Sequence, residues 1–488
     1  MKNMKDIKPF GAIPSESQLN WHKLETYGFI HFTVNTFTNK EWGYGDESPS
    51  IFNPVNFDAD QIVMSASLGG LKALILTCKH HDGFCLWPSK FTEHSVKNSP
   101  WKDGKGDVVR EISDACKKHG LKFGVYLSPW DRNHAEYGKP AYIEYFRNQL
   151  NELTTQYGEV LEVWFDGANG GDGYYGGAME TRNIARKTYY DWENTYAIIR
   201  KNQPNAVVFS DGGPDIRWVG NEHGVAGDPC WSTLTKEGRY PGIGADKVAV
   251  FSEETMVDAW ESDTDLLNHG DRSGKDWVPA ECDVSIRPGW FYHADQDDQV
   301  RTPENLFNLY LKSVGRGCSF LLNLPPTPQG LLHDNDVKSL IDFRKLVNAF
   351  EISDLVSKAV LASSNTKENN QFTVENVIDN DFETFWATDN VTGSWIEVRF
   401  DEDQEFNIIG LREYLPLGQR VDSFTIDVLR NDVWENVGIY EAIGSRRLVE
   451  IGQQKAKAIK ITFVAQACPA ISQVGIYKTM AERLENNG

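Results

Sequence analysis

From about residue 27 to 326 the chain alternates short apolar, β-rich runs with amphipathic helical stretches, and this rhythm narrows the possible folds sharply. The runs are Tyr27 to Val34, Ala73 to Cys78, Phe123 to Leu127, Val160 to Phe165, Ala206 to Ser210 and, later, Ser319 to Leu324. Between them Val108, Val109, Ile112 and Cys116 share one helical face that ends at Gly120. Ile143, Phe146, Leu150, Leu153 and Tyr157 repeat at helical spacing before Gly158, as do Tyr189, Trp192, Tyr196 and Ile199 before Pro204. Thr302-Pro303-Glu304 opens a further helix with a cap and a proline in its first turn. About eight such units predict a (β/α)8-type (TIM-type) α/β barrel with long loops, with an open doubly wound sheet as the alternative.

Beyond a helix expected from Asp334 to about Phe350 the period changes from 3.6 to two. Ile396, Val398 and Phe400 share a face, as do Phe424, Ile426 and Val428, and Ile459, Ile461 and Phe463. A chain of 488 residues exceeds what one core usually serves. The reading is a barrel over residues 1–352 followed by an all-β sandwich over 353–488. With 70 Asp and Glu against 49 Lys and Arg, the formal charge of −21 repels a phosphate backbone, so nucleic acid is not an expected partner. No stretch has the length and apolarity of a membrane span, and Met1 to Asp6 carry no signal-peptide core. The seven cysteines include no CxxC pair and read as buried thiols; no cofactor is expected.

In a parallel barrel, reactive side chains lie where strands end, since the interior is packed and the following loops form the mouth. The segments after the apolar runs carry His31 with Glu41-Trp42, then Lys79-His80-His81-Asp82-Gly83, Tyr126 to Trp130, Asp166-Gly167 and Asp211-Gly212-Gly213. Arg217 to Glu222 and Glu281 to Trp290 follow. Carboxylates, histidines and tryptophans on one rim suit sugar hydrolysis, which needs one ionised carboxylate, one protonated carboxyl, hydroxyl binders and an aromatic wall. Taken singly, each has a plainer reading. Asp166-Gly167 could be a turn, His80 and His81 would face opposite sides if the strand continued, Glu222 could be a surface glutamate and Trp290 a core aromatic. A metal cluster of His31, His80, His81, Asp82 and Asp166 is the rival chemistry, weakened by the poor shared face of adjacent histidines and by the tryptophan-rich rim.

Several motifs in order carry a resemblance over most of residues 15 to 350: Gly28-Phe29-Ile30-His31, Glu41-Trp42, Lys79-His80-His81-Asp82-Gly83-Phe84, Gly124-Val125-Tyr126, Val163-Trp164-Phe165-Asp166-Gly167, Ser313-Val314-Gly315-Arg316-Gly317 and Leu321-Leu322-Asn323. This series resembles glycoside hydrolase family 29, the α-L-fucosidases. The resemblance implies an imperfect barrel, retention through a fucosyl-enzyme intermediate and Asp166 as the nucleophile. The segment Asp215 to Glu222 resembles the subgroup favouring α-1,3 and α-1,4 linked fucose of Lewis-type glycans, which implies Glu222 as acid/base. By spacing, Glu253, Glu254 and Glu281 compete for that role. The resemblance further implies substrate-binding roles for His31, Glu41, Trp42, His80, His81, Tyr126, Arg217 and Trp290, with no metal and a fucosylated oligosaccharide or glycoconjugate as partner. A broader fucosidase that also takes α-1,2 linkages, or a lectin-like fucose binder without chemistry, are the alternatives. Asn376 to Asn380, Thr384 to Ala387 and Ser394 to Val398 make residues 356 to 478 resemble a discoidin-like carbohydrate-binding module of jelly-roll type, implying a second sugar contact or a brace. A periplasmic or secreted location is expected for glycan degradation if a leader has been removed.

Overall fold

The computed structural model describes residues 7–185, 188–237, 264–367 and 371–479. Its first part is a closed barrel of eight parallel strands. They are β1 (Thr26–Ile30), β2 (Ala73–Lys79), β3 (Lys122–Leu127), β4 (Glu162–Trp164), β5 (Val207–Ser210), β6 (Ile216–Trp218), β7 (Ala280–Ser285) and β8 (Ser319–Asn323). β8 pairs with β1, with Thr26 opposite Phe320 and Phe29 opposite Asn323, so the sheet has no free edge and the doubly wound alternative is excluded.

The flanking helices begin and end where their caps dictate. In α1 (Ala59–Leu68) and α2 (Val108–His119) the Asp58 and Asp107 carboxylates accept from the first-turn amides of Gln61 and Arg110. The second of these stops at Gly120, whose φ of 75° closes the C-terminus. α3 (Pro140–Gln156), α4 (Trp192–Asn202), α5 (Pro303–Lys312) and α6 (Asp334–Ile352) follow the predicted helical stretches, whereas β5 and β6 are joined by 211–215 without a helix.

β6 and β7 fall where no apolar run predicts a strand. Their sequences, Ile-Arg-Trp and Ala-Glu-Cys-Asp-Val-Ser, place Arg217, Glu281 and Asp283 in buried positions that the fold provisions with polar partners. Glu281 lies near the start of β7, in the barrel floor. It accepts from Trp164 Nε1 at 2.7 Å and from the Tyr27 hydroxyl, while Glu162, the first residue of β4, accepts from Trp21 Nε1 at 3.2 Å. This corrects the candidacy of Glu281 as the acid: it lies beneath the mouth and is fully buried.

Burial pushes both carboxyls, Glu162 and Glu281, well up from the usual range, and their mutual repulsion adds to it for Glu162. Groups whose folded pKa is raised hold protons that the unfolded chain has already lost, so the stability they confer is full in acid and drains away as pH climbs from the unfolded carboxylate value through the folded one. One extra proton corresponds to a slope of about 1.4 kcal/mol per pH unit within that window. Glu281→Gln, which keeps the shape and supplies an amide in place of the acid, is expected to flatten the fall of Tm between pH 5 and 8. An unchanged slope in parallel melts of both proteins would count against a protonated Glu281 in the floor.

The second part is an antiparallel sheet. Its strands are β9 (Val360–Ser363), β10 (Trp386–Ala387), β11 (Thr392–Glu413), β12 (Val421–Arg430), β13 (Val433–Glu441), β14 (Arg447–Ala465) and β15 (Ala470–Tyr477). The pairing of β11 with β14 shifts between Arg399 and Gln404 and again between Phe406 and Ile408. Such bulges bend long strands, and Ile396 and Val398 before the bends share one core with Phe406 between them and Ile409 beyond. This part is welded to the barrel: Arg446 donates to Tyr310 Oη and to Glu351 Oε1, each at 2.6 Å, and Tyr477 stacks on Phe350 with ring centroids 4.3 Å apart. Leu448 N donates to Gly315 O at 2.8 Å, and a Cβ at Gly315 would lie 2.2 Å from Leu311 O, which explains the Ser313 to Gly317 motif as a joint between the two parts. Among the described residues no helix is long and apolar enough to cross a membrane.

Candidate active site

β2 ends at Lys79, so His80 and His81 escape the strand's alternation and come to lie together, their ring centroids 4.2 Å apart. The turn is set by Gly83, with φ of 78°, and by Asp82, which accepts from Phe84 N at 2.7 Å and from the Thr33 hydroxyl at 2.9 Å. Asp82 thus braces the loop and stands apart from the histidine cluster; burial raises its carboxyl to about 7.

Hydrogen bonds fix two imidazoles in one tautomer. The Asn323 amide nitrogen donates to Ser285 Oγ and to Trp290 O, which leaves Asn323 Oδ1 to accept from His31 Nδ1 at 2.9 Å. The Ser128 hydroxyl donates to Trp130 O and accepts from His81 Nδ1, both at 2.7 Å. Burial holds His31 and His81 down at about 3 and His80 well below its ordinary value, so the three rings are neutral near pH 7. His31 and His81 are therefore left with Nε2 lone pairs, and His80 Nδ1 is buried with no hydrogen-bond partner among the described residues.

Asp166 follows β4 by two residues and is partly exposed. Its Oδ2 accepts from the Tyr126 hydroxyl at 2.9 Å and its Oδ1 from Ala168 N at 2.7 Å, contacts that favour the ionised form. His81 Nε2 lies 3.6 Å from Oδ2, but a neutral ring at that distance is not an ion pair. The glycine beside it answers to space: a Cβ at Gly167 would fall 1.9 Å from Asp211 Oδ2. Tyr126 stacks on His80 with centroids 5.6 Å apart and on Trp164 at 5.2 Å, and Trp164 stacks on Phe209 at 4.1 Å, so an aromatic column rises from the barrel floor to Asp166.

Across the mouth Trp290 Nε1 donates to Glu222 Oε2 at 3.0 Å. Burial raises the Glu222 carboxyl; the indole bond opposes the rise and the Asp166 charge adds to it. The Asp166 and Glu222 carboxyls thus stand in contrasting surroundings. Trp290 also lies over His31 with centroids 5.1 Å apart, and Glu41 accepts from Trp290 N at 2.8 Å. Trp42, exposed at 52%, stands edge-on to His81 and Trp130. The mouth so brings together Asp166, Glu222, His31, His80, His81, Tyr126, Glu41, Trp42 and Trp290.

Arg217 departs from expectation. Its guanidinium is fully buried and donates to Leu267 O at 2.9 Å, to Trp231 O at 2.8 Å and to Val278 O, so every nitrogen is committed to tying loops together. Glu253 and Glu254 lie outside the described residues. Three participants were not singled out from sequence. Asn323 orients His31; Asp283 accepts from Trp218 Nε1 at 3.0 Å near Glu222; His293 touches Glu41. Asn323 had a signal as the polar residue near the end of the apolar run Ser319 to Leu324, in the Leu321-Leu322-Asn323 motif, whereas Asp283 and His293 depend on partners remote in sequence.

His80, His81 and Asp166 each offer a ligand atom within 4.8 Å of the others, so the rival reading retains three candidate metal donors at the mouth.

A family model for α-L-fucosidase matches residues 10–226. Alpha-L-fucosidase 1 of Arabidopsis thaliana is 39% identical over 477 residues, spanning 96% of this chain and 88% of that protein. A glycoside hydrolase 29 family member from an unknown rumen bacterium superimposes with a TM-score of 0.82 at 41% identity, covering 97% of this chain and 79% of that one. A glycoside hydrolase 29 fucosidase of Ruminococcus gnavus, solved in complex with fucose, gives 0.84 at 30% identity over 99% and 98% of the two chains. With the barrel, the paired carboxyls and near full-length relatives in agreement, the chain belongs to the glycoside hydrolase family 29 α-L-fucosidases.

Proposed function

We propose that this α-L-fucosidase is an exo-acting, retaining enzyme that removes α-1,3 and α-1,4 linked terminal fucose from Lewis-type glycans. Asp166 is the nucleophile and Glu222 the acid/base. The observation that carries this reading is the contrast between the two carboxyls, one held by donors suited to its ionised form and the other raised by burial.

In the first step Asp166 Oδ attacks the anomeric carbon while Glu222 gives its proton to the departing glycosidic oxygen. In the second, Glu222 takes a proton from water, which attacks the same carbon and releases Asp166 as carboxylate. Two inversions give net retention, for which the carboxyls work about 5 to 5.5 Å apart around bound sugar. The Nε2 lone pairs of His31 and His81 accept from ring hydroxyls, and His80 and Glu41 complete the polar set. Trp42 and Trp290 cover the apolar face and the methyl group. Fucose bound by the Ruminococcus gnavus relative supports the same monosaccharide here. The C-terminal part, tied to the barrel through Arg446, acts as a discoidin-like brace and offers a second sugar contact.

Fucose release from Lewis-type trisaccharides, 2′-fucosyllactose and an aryl fucoside, each with and without a chelator, tests the proposal. Release from the trisaccharides well above that from 2′-fucosyllactose, unmoved by chelation, is the expected result. Equal rates on both would point to the broad-specificity alternative, and loss with chelator to a cation held by His80, His81 and Asp166.

A further inference from the structure

His293 lies nine-tenths or more buried at the loop after β7, and no catalytic step described above uses it. Its Nδ1 faces Asn39 Oδ1 at 2.7 Å and its Nε2 faces Glu41 Oε1 at 2.6 Å. Glu41 in turn accepts from the backbone amides of Trp290, at 2.8 Å, and Phe291, at 3.3 Å. The chain of contacts ends on Glu222, through the Trp290 indole. A second observation shows that this corner is built around the pair: a Cβ at Gly289 would lie 2.5 Å from Glu41 Oε1 and 2.9 Å from His293 Cδ2. Only glycine lets the turn Pro288-Gly289-Trp290 pass so close. The turn is pinned from the other side as well, by Ser285 Oγ donating to Gly289 O at 2.7 Å and Gly289 N donating to Gln296 Oε1 at 3.1 Å.

We infer that His293 is a positioning residue for the sugar pocket: braced by Asn39, it fixes the Glu41 carboxylate, and Glu41 fixes the Trp290 backbone and hence the indole that holds Glu222. Two loops distant in sequence, one bearing Glu41 and Trp42 and the other Trp290, are thereby locked into one wall. Glu41 is otherwise a long, rotatable side chain, 40% exposed, with no other side-chain partner among the described residues. Without the imidazole, its carboxylate swings toward water and the sugar loses a fixed acceptor; the indole then samples positions from which Glu222 is misaligned with the leaving oxygen. The inference rests on the fucosidase reading of the site.

The test compares His293→Ala, His293→Gln and the unaltered enzyme on an aryl fucoside with a good leaving group and on an unactivated fucosylated trisaccharide. Active, folded protein is verified by the melting profile. His293→Ala is expected to raise KM for the aryl fucoside by roughly tenfold while kcat changes far less, since that leaving group asks little of Glu222. On the trisaccharide kcat also falls. His293→Gln, whose amide can reach Glu41, is expected to recover most of the KM, and added imidazole to recover part of it in His293→Ala. Unchanged KM and kcat in a folded His293→Ala overturn the inference, as do equal losses of kcat on both substrates that neither Gln nor imidazole repairs. An unaltered enzyme that releases no fucose from either substrate would instead refute the functional reading itself.

Discussion

Asp166→Ala is expected to lower kcat on an aryl fucoside by about four orders of magnitude while leaving the fold intact. The barrel does not depend on this side chain, which is partly exposed at the mouth, and its neighbours Tyr126 and Trp164 are held by the stacked column beneath. On the proposed mechanism, removing the carboxylate opens space on the face from which the anomeric carbon is attacked. Azide in that space is expected to restore turnover and to yield the β-fucosyl azide, the product of one inversion. An α-azide would show that another group still forms the covalent intermediate.

Glu222→Ala has a different expected signature. The carboxyl is needed as an acid only to the extent that the leaving group is poor, so an activated aryl fucoside should still be cleaved in the first step while the unactivated glycan loses about 10²- to 10⁴-fold in kcat/KM. Azide, entering at the second step, should then give the α-fucosyl azide. The pH profile carries a further check. Burial raises the Glu222 carboxyl, and the proposed first step needs it protonated, so kcat/KM of the unaltered enzyme should fall as pH rises past its ionisation. That alkaline limb should vanish in Glu222→Ala. Equal losses on both substrates with the limb retained would assign the acid elsewhere.

Much of this architecture is legible in the sequence because apolar runs and helical faces repeat on the scale of single elements. Six of the eight barrel strands announce themselves this way, and the period-two pattern of Ile396, Val398 and Phe400 reappears as buried positions on one strand. β6 and β7 escape because their inward positions are filled by Arg217, Glu281 and Asp283, residues that a sequence pattern places at the surface. Their burial is tolerated only through partners such as Tyr27, Trp164 and Trp218, tens to hundreds of residues away. The same reason explains Arg217, which looked like a sugar ligand beside Glu222 but points into the loops outside the mouth. The places of His80, His81 and Asp166 at the mouth could be read from sequence because each lies one or two residues past a strand end, where the following loop forms the rim. His293 was not, since its meaning lies in Asn39 and Glu41.

Trapping with a 2-deoxy-2-fluoro-fucosyl fluoride, followed by peptide mass spectrometry, tests the central claim most directly. The fluorine slows both steps and the fluoride leaving group spares the first, so the covalent intermediate accumulates. The account predicts one fluorofucosyl adduct on the peptide containing Asp166, absent from Asp166→Ala. A label on Glu222 or on any other carboxylate, or no adduct together with release of the inverted sugar, would contradict it.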